Sequence, residues 1–202
     1  MITLPIFPLQ TVLFPGGTLT LRVFEQRYMD MVKECLKDEQ PFGICLIASG
    51  NEVSTQLGDA AHPHSIGVKA RITSWDMAQL GVLNIAVAGE ERFIIESHET
   101  NSQGLVVAQV RSMPNEDVLP VPAEHQSMVR LLQMMVADVV ATMGGARLPL
   151  PHSFESAAWV GYRFCELLPM QALARQKLLE LEDPLNRLDI VHKFLVQRGL
   201  VE

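Results

Sequence analysis

Met113-Pro114-Asn115-Glu116-Asp117-Val118-Leu119-Pro120-Val121-Pro122 divides the chain. Its three prolines and its Asn-Glu-Asp run break both helical and ladder hydrogen bonding, which is a linker composition. Toward the N-terminus the apolar pattern has a period of two. Leu4-Pro5-Ile6-Phe7-Pro8-Leu9 suits an edge or extended strand, and Pro15-Gly16-Gly17 is a turn. Strands are expected over 18–23, 42–47, 67–75, 82–88, 92–97 and 105–110, with Glu90-Glu91 at a hairpin turn. Short strands at this spacing make a small barrel or sandwich. One helix interrupts them. Over 25–37, Tyr28, Met31, Val32, Cys35 and Leu36 fall on one face.

Toward the C-terminus the period is helical. Met128, Val129, Leu132, Met135, Val136, Val139, Val140 and Met143 mark one helix, stopped by Gly144-Gly145. Ser153 is the expected N-cap of a second helix running to about 168. Pro169 is expected at the first position of a third, and Asp183-Pro184 at the start of a fourth. The fold class is therefore α+β: a β-barrel or sandwich with one helix over 1–113, then a four-helix bundle over 114–202.

Composition narrows the function classes. Of 202 residues, 48% are apolar and 19% charged, which excludes a disordered chain. The net charge is −7, with −4 before residue 114 and −3 from there on, so neither half offers the basic face that nucleic acid or anionic lipid would select. Cys35, Cys45 and Cys165 form neither a disulfide framework nor a zinc pattern. A basic, apolar leader and a membrane-length apolar run are both missing. The expectation is a cytoplasmic protein without membrane or nucleic-acid partners.

Catalytic patterns are equally sparse. Gly144-Gly145-Ala146-Arg147 lacks the Lys-Ser/Thr that a phosphate-binding loop requires. His62-Pro63-His64 pairs two imidazoles, with no further ligands spaced to complete a metal site. There is no Gly-x-Ser-x-Gly elbow, and the cysteines lie on apolar faces, where they behave as small hydrophobes. No cofactor, metal or catalytic residue is expected.

Five blocks, in order, carry a resemblance. They are residues 4–9 with Val12-Leu13-Phe14-Pro15-Gly16, then Phe24-Glu25-x-Arg27-Tyr28, then 67–72, then Gly89-Glu90-Glu91-Arg92-Phe93, then Leu178-Leu179-Glu180-Leu181 with Asp183-Pro184-x-x-Arg187-Leu188. Together they resemble the N-terminal, substrate-binding domain of Lon proteases, as a stand-alone bacterial-type version without the ATPase and peptidase modules. The resemblance implies a PUA-like β-domain followed by a helical bundle, and a non-catalytic role in engaging polypeptide or unfolded clients, as an adaptor in protein quality control. A separate ATPase is a second expected partner. Candidate peptide-binding residues are Phe14, Phe24, Tyr28 and Trp75, on the β-domain and the crease between the halves. A small hydrolase has only the family name behind it. RNA binding, which PUA-like folds can perform, is opposed by the acidic balance.

Overall fold

The computed structural model describes residues 1–50, 61–148 and 150–202. These form two compact units, Met1–Pro114 and Asn115–Glu202. The whole is a mixed α/β chain with a largely antiparallel sheet and, among the described residues, five α-helices.

The first unit contains β1 (Ile2–Leu9), β2 (Thr18–Val23), α1 (Gln26–Asp38), β3 (Phe42–Ser49), β4 (His62–Pro63), β5 (Ile66–Gln79), β6 (Val82–Thr100) and β7 (Val106–Ser112). Strand β1 is shared between two neighbours. Its first half pairs antiparallel with β7, Ile2 opposite Val110 through Ile6 opposite Val106. Its second half pairs parallel with β3, Ile6 opposite Gly43 through Leu9 opposite Leu46. Because β3, β5, β6 and β7 are joined by antiparallel ladders, the strands β1, β7, β6, β5 and β3 close into a ring, with β2 added beside β6 and β4 beside β3. Leu4, Ile6, Cys45, Phe93, Val106, Ala108 and Val110 fill a core inside it. Gly43 belongs there because a Cβ would press within 2.6–3.0 Å of Ile6, Phe93 and Leu4. Helix α1 buries Tyr28, Met29, Met31, Val32 and Cys35, and the Tyr28 ring stacks on Phe7 with centroids 4.0 Å apart.

One expected turn is absent. Glu90-Glu91 lies inside β6, which runs unbroken for 19 residues. Val68 pairs with Arg92 and Ala70 with Gly89, so β6 spends one residue more than β5 over this stretch. That extra residue is a β-bulge, which shifts the inward-facing set by one position. The period-two pattern breaks at the same place for a bulge as for a turn.

The second unit contains α2 (Gln126–Met143), α3 (Ala157–Leu167), α4 (Ala172–Glu180) and α5 (Pro184–Gln197). Helix α3 packs against α2, α4 and α5. It is accordingly buried nearly all round, at Ala157, Val160, Gly161, Tyr162, Arg163, Phe164 and Cys165. Gly144 ends α2 at a φ of 82°, and Asp183 caps α5 by accepting a hydrogen bond from Leu185 N at 2.9 Å. Two expected helix starts move. Ser156, not Ser153, caps α3, accepting from Trp159 N at 3.3 Å, while the Ser153 carbonyl accepts from Ser156 N in the preceding turn. Helix α4 follows Gln171, not Leu168: Leu168 is extended, as a residue before proline prefers to be, and carries Pro169 outside the helix.

Candidate functional site

The four residues singled out by sequence separate into two pairs. Phe14 and Tyr28 are core, with relative exposures of 0% and 3%; Phe24 and Trp75 are surface, at 54% and 59%. Phe14 is drawn inward because the glycine turn that follows it is tied to β6. Gly16 N donates to Gly89 O, and Gly89 N donates to Gly17 O, each at 2.8 Å. Tyr28 is held between Phe7 and the Arg27 guanidinium, which lies 4.5 Å from its ring centroid.

Trp75 stands on the outer part of the β5–β6 hairpin. That hairpin extends past the expected end of β5 and turns at Leu80-Gly81, where Gly81 supplies a φ of 81°. Met77 and Leu80, both exposed, lie on the same projection. Phe24 follows Val23, the last residue of β2, whose partner in β6 is Leu83, one position from the Gln79–Val82 pair beside the turn. Phe24, Trp75, Met77 and Leu80 thus occupy one end of the sheet. Met77 and Leu80 were legible only through the turn signal of Leu80-Gly81, which places both residues on a hairpin tip.

Polar clusters elsewhere tie elements together. Lys69 on β5 donates to Glu91 Oε1 on β6 at 2.5 Å and to Ser112 Oγ on β7 at 3.2 Å; Ser112 Oγ donates to the same carboxylate oxygen at 3.0 Å. The hydrogen bond from Lys69 holds the Glu91 carboxyl below its ordinary pKa. Lys69 and Ser112 both donate to Glu91, so the group clamps three strands. In the second unit His125 Nε2 lies 2.7 Å from Asp189 Oδ1, and the His125 ring is 4.9 Å from that of His192. The other His125 nitrogen, Nδ1, is buried with no hydrogen-bond partner among the described residues, so no nucleophile completes that pair. His62 belongs to β4, paired with β3, and no group of three or more metal-ligating side chains occurs among the described residues.

All three cysteines are buried thiols. Burial raises Cys35 to about 11 and Cys165 to about 12, and pushes Cys45 up as well. The thiolate is the reactive form. The native protein at pH 8 is therefore expected to leave a thiol-exchange reagent almost unconsumed, and to titrate three thiols once denatured. A rapidly reacting native thiol would contradict this placement.

The residues that carry the resemblance noted above turn out to hold the fold. Arg27 pairs with Glu25 at 2.8 Å and donates to Gly104 O at 2.7 Å, fastening α1 to the turn before β7. Arg187 makes a two-pronged ion pair with Glu116, at 2.7 and 2.6 Å, and donates to Leu178 O and Leu181 O at the end of α4. Its guanidinium sits 4.1 Å from the Tyr162 ring centroid. A family model described as the ATP-dependent protease La (LON) substrate-binding domain matches residues 3–197. The chain belongs to the Lon substrate-binding domain family. A Lon N-terminal domain protein from Xanthomonas campestris superposes with a TM-score of 0.76 at 33% identity, covering 96% of this chain and 98% of that one. The N-terminal domain of a Mycobacterium avium complex Lon protease shares the fold, with a TM-score of 0.59 at 17% identity over 94% of this chain and 96% of its own. In sequence, Lon protease of Anaeromyxobacter dehalogenans is 33% identical over 143 residues, 69% of this chain and 16% of that protein. Protein cereblon of Xenopus tropicalis is 25% identical over 126 residues, 59% of this chain and 25% of that protein. The chain thus spans a quarter or less of these two full-length relatives. No helix among the described residues of this Lon-family chain is long and apolar enough to cross a membrane.

Proposed function

We propose that the chain is a non-catalytic recognition module that binds unfolded polypeptide, built as a PUA-like β-domain over 1–113 and a four-helix bundle centred on α3 over 114–202. The observation that carries this reading is the exposed apolar group Phe24, Trp75, Met77 and Leu80 at one end of the sheet, in a family described by substrate binding. Unfolded segments differ from folded surfaces chiefly in exposing apolar side chains, and large aromatic and thioether groups accept varied apolar partners. Tyr28 contributes from the core by holding the start of the helix that follows Phe24, while Phe14 fixes the turn at the opposite end of β2. Within the cytoplasm such a module serves as an adaptor in quality control, handing clients to a separate ATPase. Nucleic acid is not among its partners.

The test is binding of a fluorescently labelled, reduced and unfolded casein to the wild type and to Trp75→Ser/Leu80→Ser. The variant is expected to bind about tenfold more weakly, since two hot-spot-sized apolar contacts are removed. Its melting temperature should stay near that of the wild type, because both side chains are exposed. Unchanged affinity in the folded variant would remove the hairpin from the binding surface.

A further inference from the structure

The helical unit carries an apolar concavity. A groove of about 680 Å³ runs between α4 and α5. Its floor and walls include Met170, Ala174, Leu178, Leu181, Ile190 and Phe194. Ile190 and Phe194 of α5 and its C-cap residue Arg198 follow one another at intervals of four, a stripe of about 12 Å. Ala174 and Leu178 of α4 supply the facing stripe, continued by Leu181 just past the helix end. Helical side-chain ridges on both walls are the kind of surface into which a third helix packs.

The rim is charged unequally. Lys177 donates to Glu180 Oε2 at 2.8 Å, and Gln176 donates to Glu180 Oε1 at 3.1 Å, so those two opposite charges cancel each other. Arg198 is the third charge on the rim. Its guanidinium lies over the Phe194 ring, 5.0 Å from the centroid, with no carboxylate in ion-pair range among the described residues. The groove therefore offers an apolar floor and one uncancelled positive charge at the C-terminal end of α5.

We propose that this groove binds an amphipathic helical segment of a client polypeptide, with an acidic side chain beside its apolar face meeting Arg198. This deepens the polypeptide-binding reading above and rests on it. Helix rather than strand follows from the walls, which are helices and present no sheet edge. An extended segment laid on apolar side chains would leave its backbone N–H and C=O groups unpaired, whereas a helix satisfies its own. The acidic preference follows from the rim, where a carboxylate next to Arg198 gains a charge-assisted hydrogen bond and a lysine there meets repulsion.

The test uses the full chain and a fluorescein-labelled peptide of about 18 residues, with Leu at i, i+3, i+4 and i+7 and Glu flanking that stripe. A second peptide carries Lys in place of each Glu. The wild type is expected to bind the Glu peptide about tenfold more tightly than the Lys peptide at low salt. Arg198→Glu should reverse that order. Ile190→Asp, a change at a residue 41% exposed, should abolish binding of both while circular dichroism shows the chain still folded. Trp75→Ser/Leu80→Ser should leave both peptides bound, which separates this groove from the hairpin surface. Equal affinity for the two peptides, indifference to Ile190→Asp, or loss in the hairpin variant would each overturn the assignment. Loss of casein binding in the hairpin variant with peptide binding intact supports two separate sites.

Discussion

Arg187→Met is expected to lower the stability of the helical unit by about 3–5 kcal/mol, the usual result of breaking a buried ion pair from one side. Arg187 is fully buried, and the Glu116 side chain is only 6% exposed. The methionine fills much of the arginine's volume, so a cavity contributes little. The cost lies in what is abandoned: a desolvated Glu116 carboxylate, and the carbonyls of Leu178 and Leu181 at the end of α4. Tyr162 also donates to Glu116 and keeps one hydrogen bond, which places the loss below that of an isolated buried charge. The pair variant Glu116→Leu/Arg187→Met should recover a large part of the deficit, because no charge then remains buried without a partner. Urea unfolding followed by Trp159 fluorescence reports on the helical unit, since the other tryptophan, Trp75, stands exposed on the β-hairpin. A loss under about 1 kcal/mol in the single variant, or no recovery in the double, would show that the pair is solvated in solution.

That node also shows why part of the structure was hidden in the sequence. Asp183-Pro184 announces a helix start through local chemistry, and the helix is there. Glu116 does not announce itself. It sits in a proline-flanked polar run, 71 residues from Arg187, and only tertiary packing turns that linker carboxylate into a buried partner. The same contrast recurs across the fold. The face of α1 was legible from the spacing of Tyr28, Met31, Val32 and Cys35, because helical period is a local property. Closure of the sheet through a parallel β1–β3 pairing was not, because register between distant strands leaves no mark in either one. Among the candidate contact residues, Phe14 and Phe24 each follow an apolar residue at the end of a short apolar stretch. The Gly16–Gly89 and Gly17–Gly89 hydrogen bonds take one inward, and the end of β2 leaves the other outside.

Glu166→Gln is expected to stabilise the protein above neutral pH and to change little near pH 4. Burial raises the Glu166 carboxyl from 4.5 to about 7, against the opposing pull of Arg163, Arg147 and Arg175. Because its folded pKa lies above its unfolded one, the stability its protonated form supplies is complete below about 4.5 and is lost as pH rises through about 7. A glutamine cannot ionise and escapes that loss. The side chain is 19% exposed, so partial solvation trims the full linkage value, and a gain of about 2 kcal/mol at pH 8 is the expected size. Two forces oppose each other here. Arg163, 1% exposed, has its Nη2 3.2 Å from Glu166 Oε1, and an ionised Glu166 neutralises that guanidinium. The glutamine oxygen can still accept the same hydrogen bond, so the variant surrenders only the charge–charge attraction. If desolvation outweighs that attraction, the difference in unfolding free energy between variant and wild type grows from near zero at pH 4 to its full value by pH 8. If the attraction to Arg163 outweighs desolvation, Glu166→Gln is less stable than the wild type above pH 5 and the sign is reversed. Urea denaturation at half-unit pH steps separates the two cases, because they differ in the direction of the slope and not merely in its size.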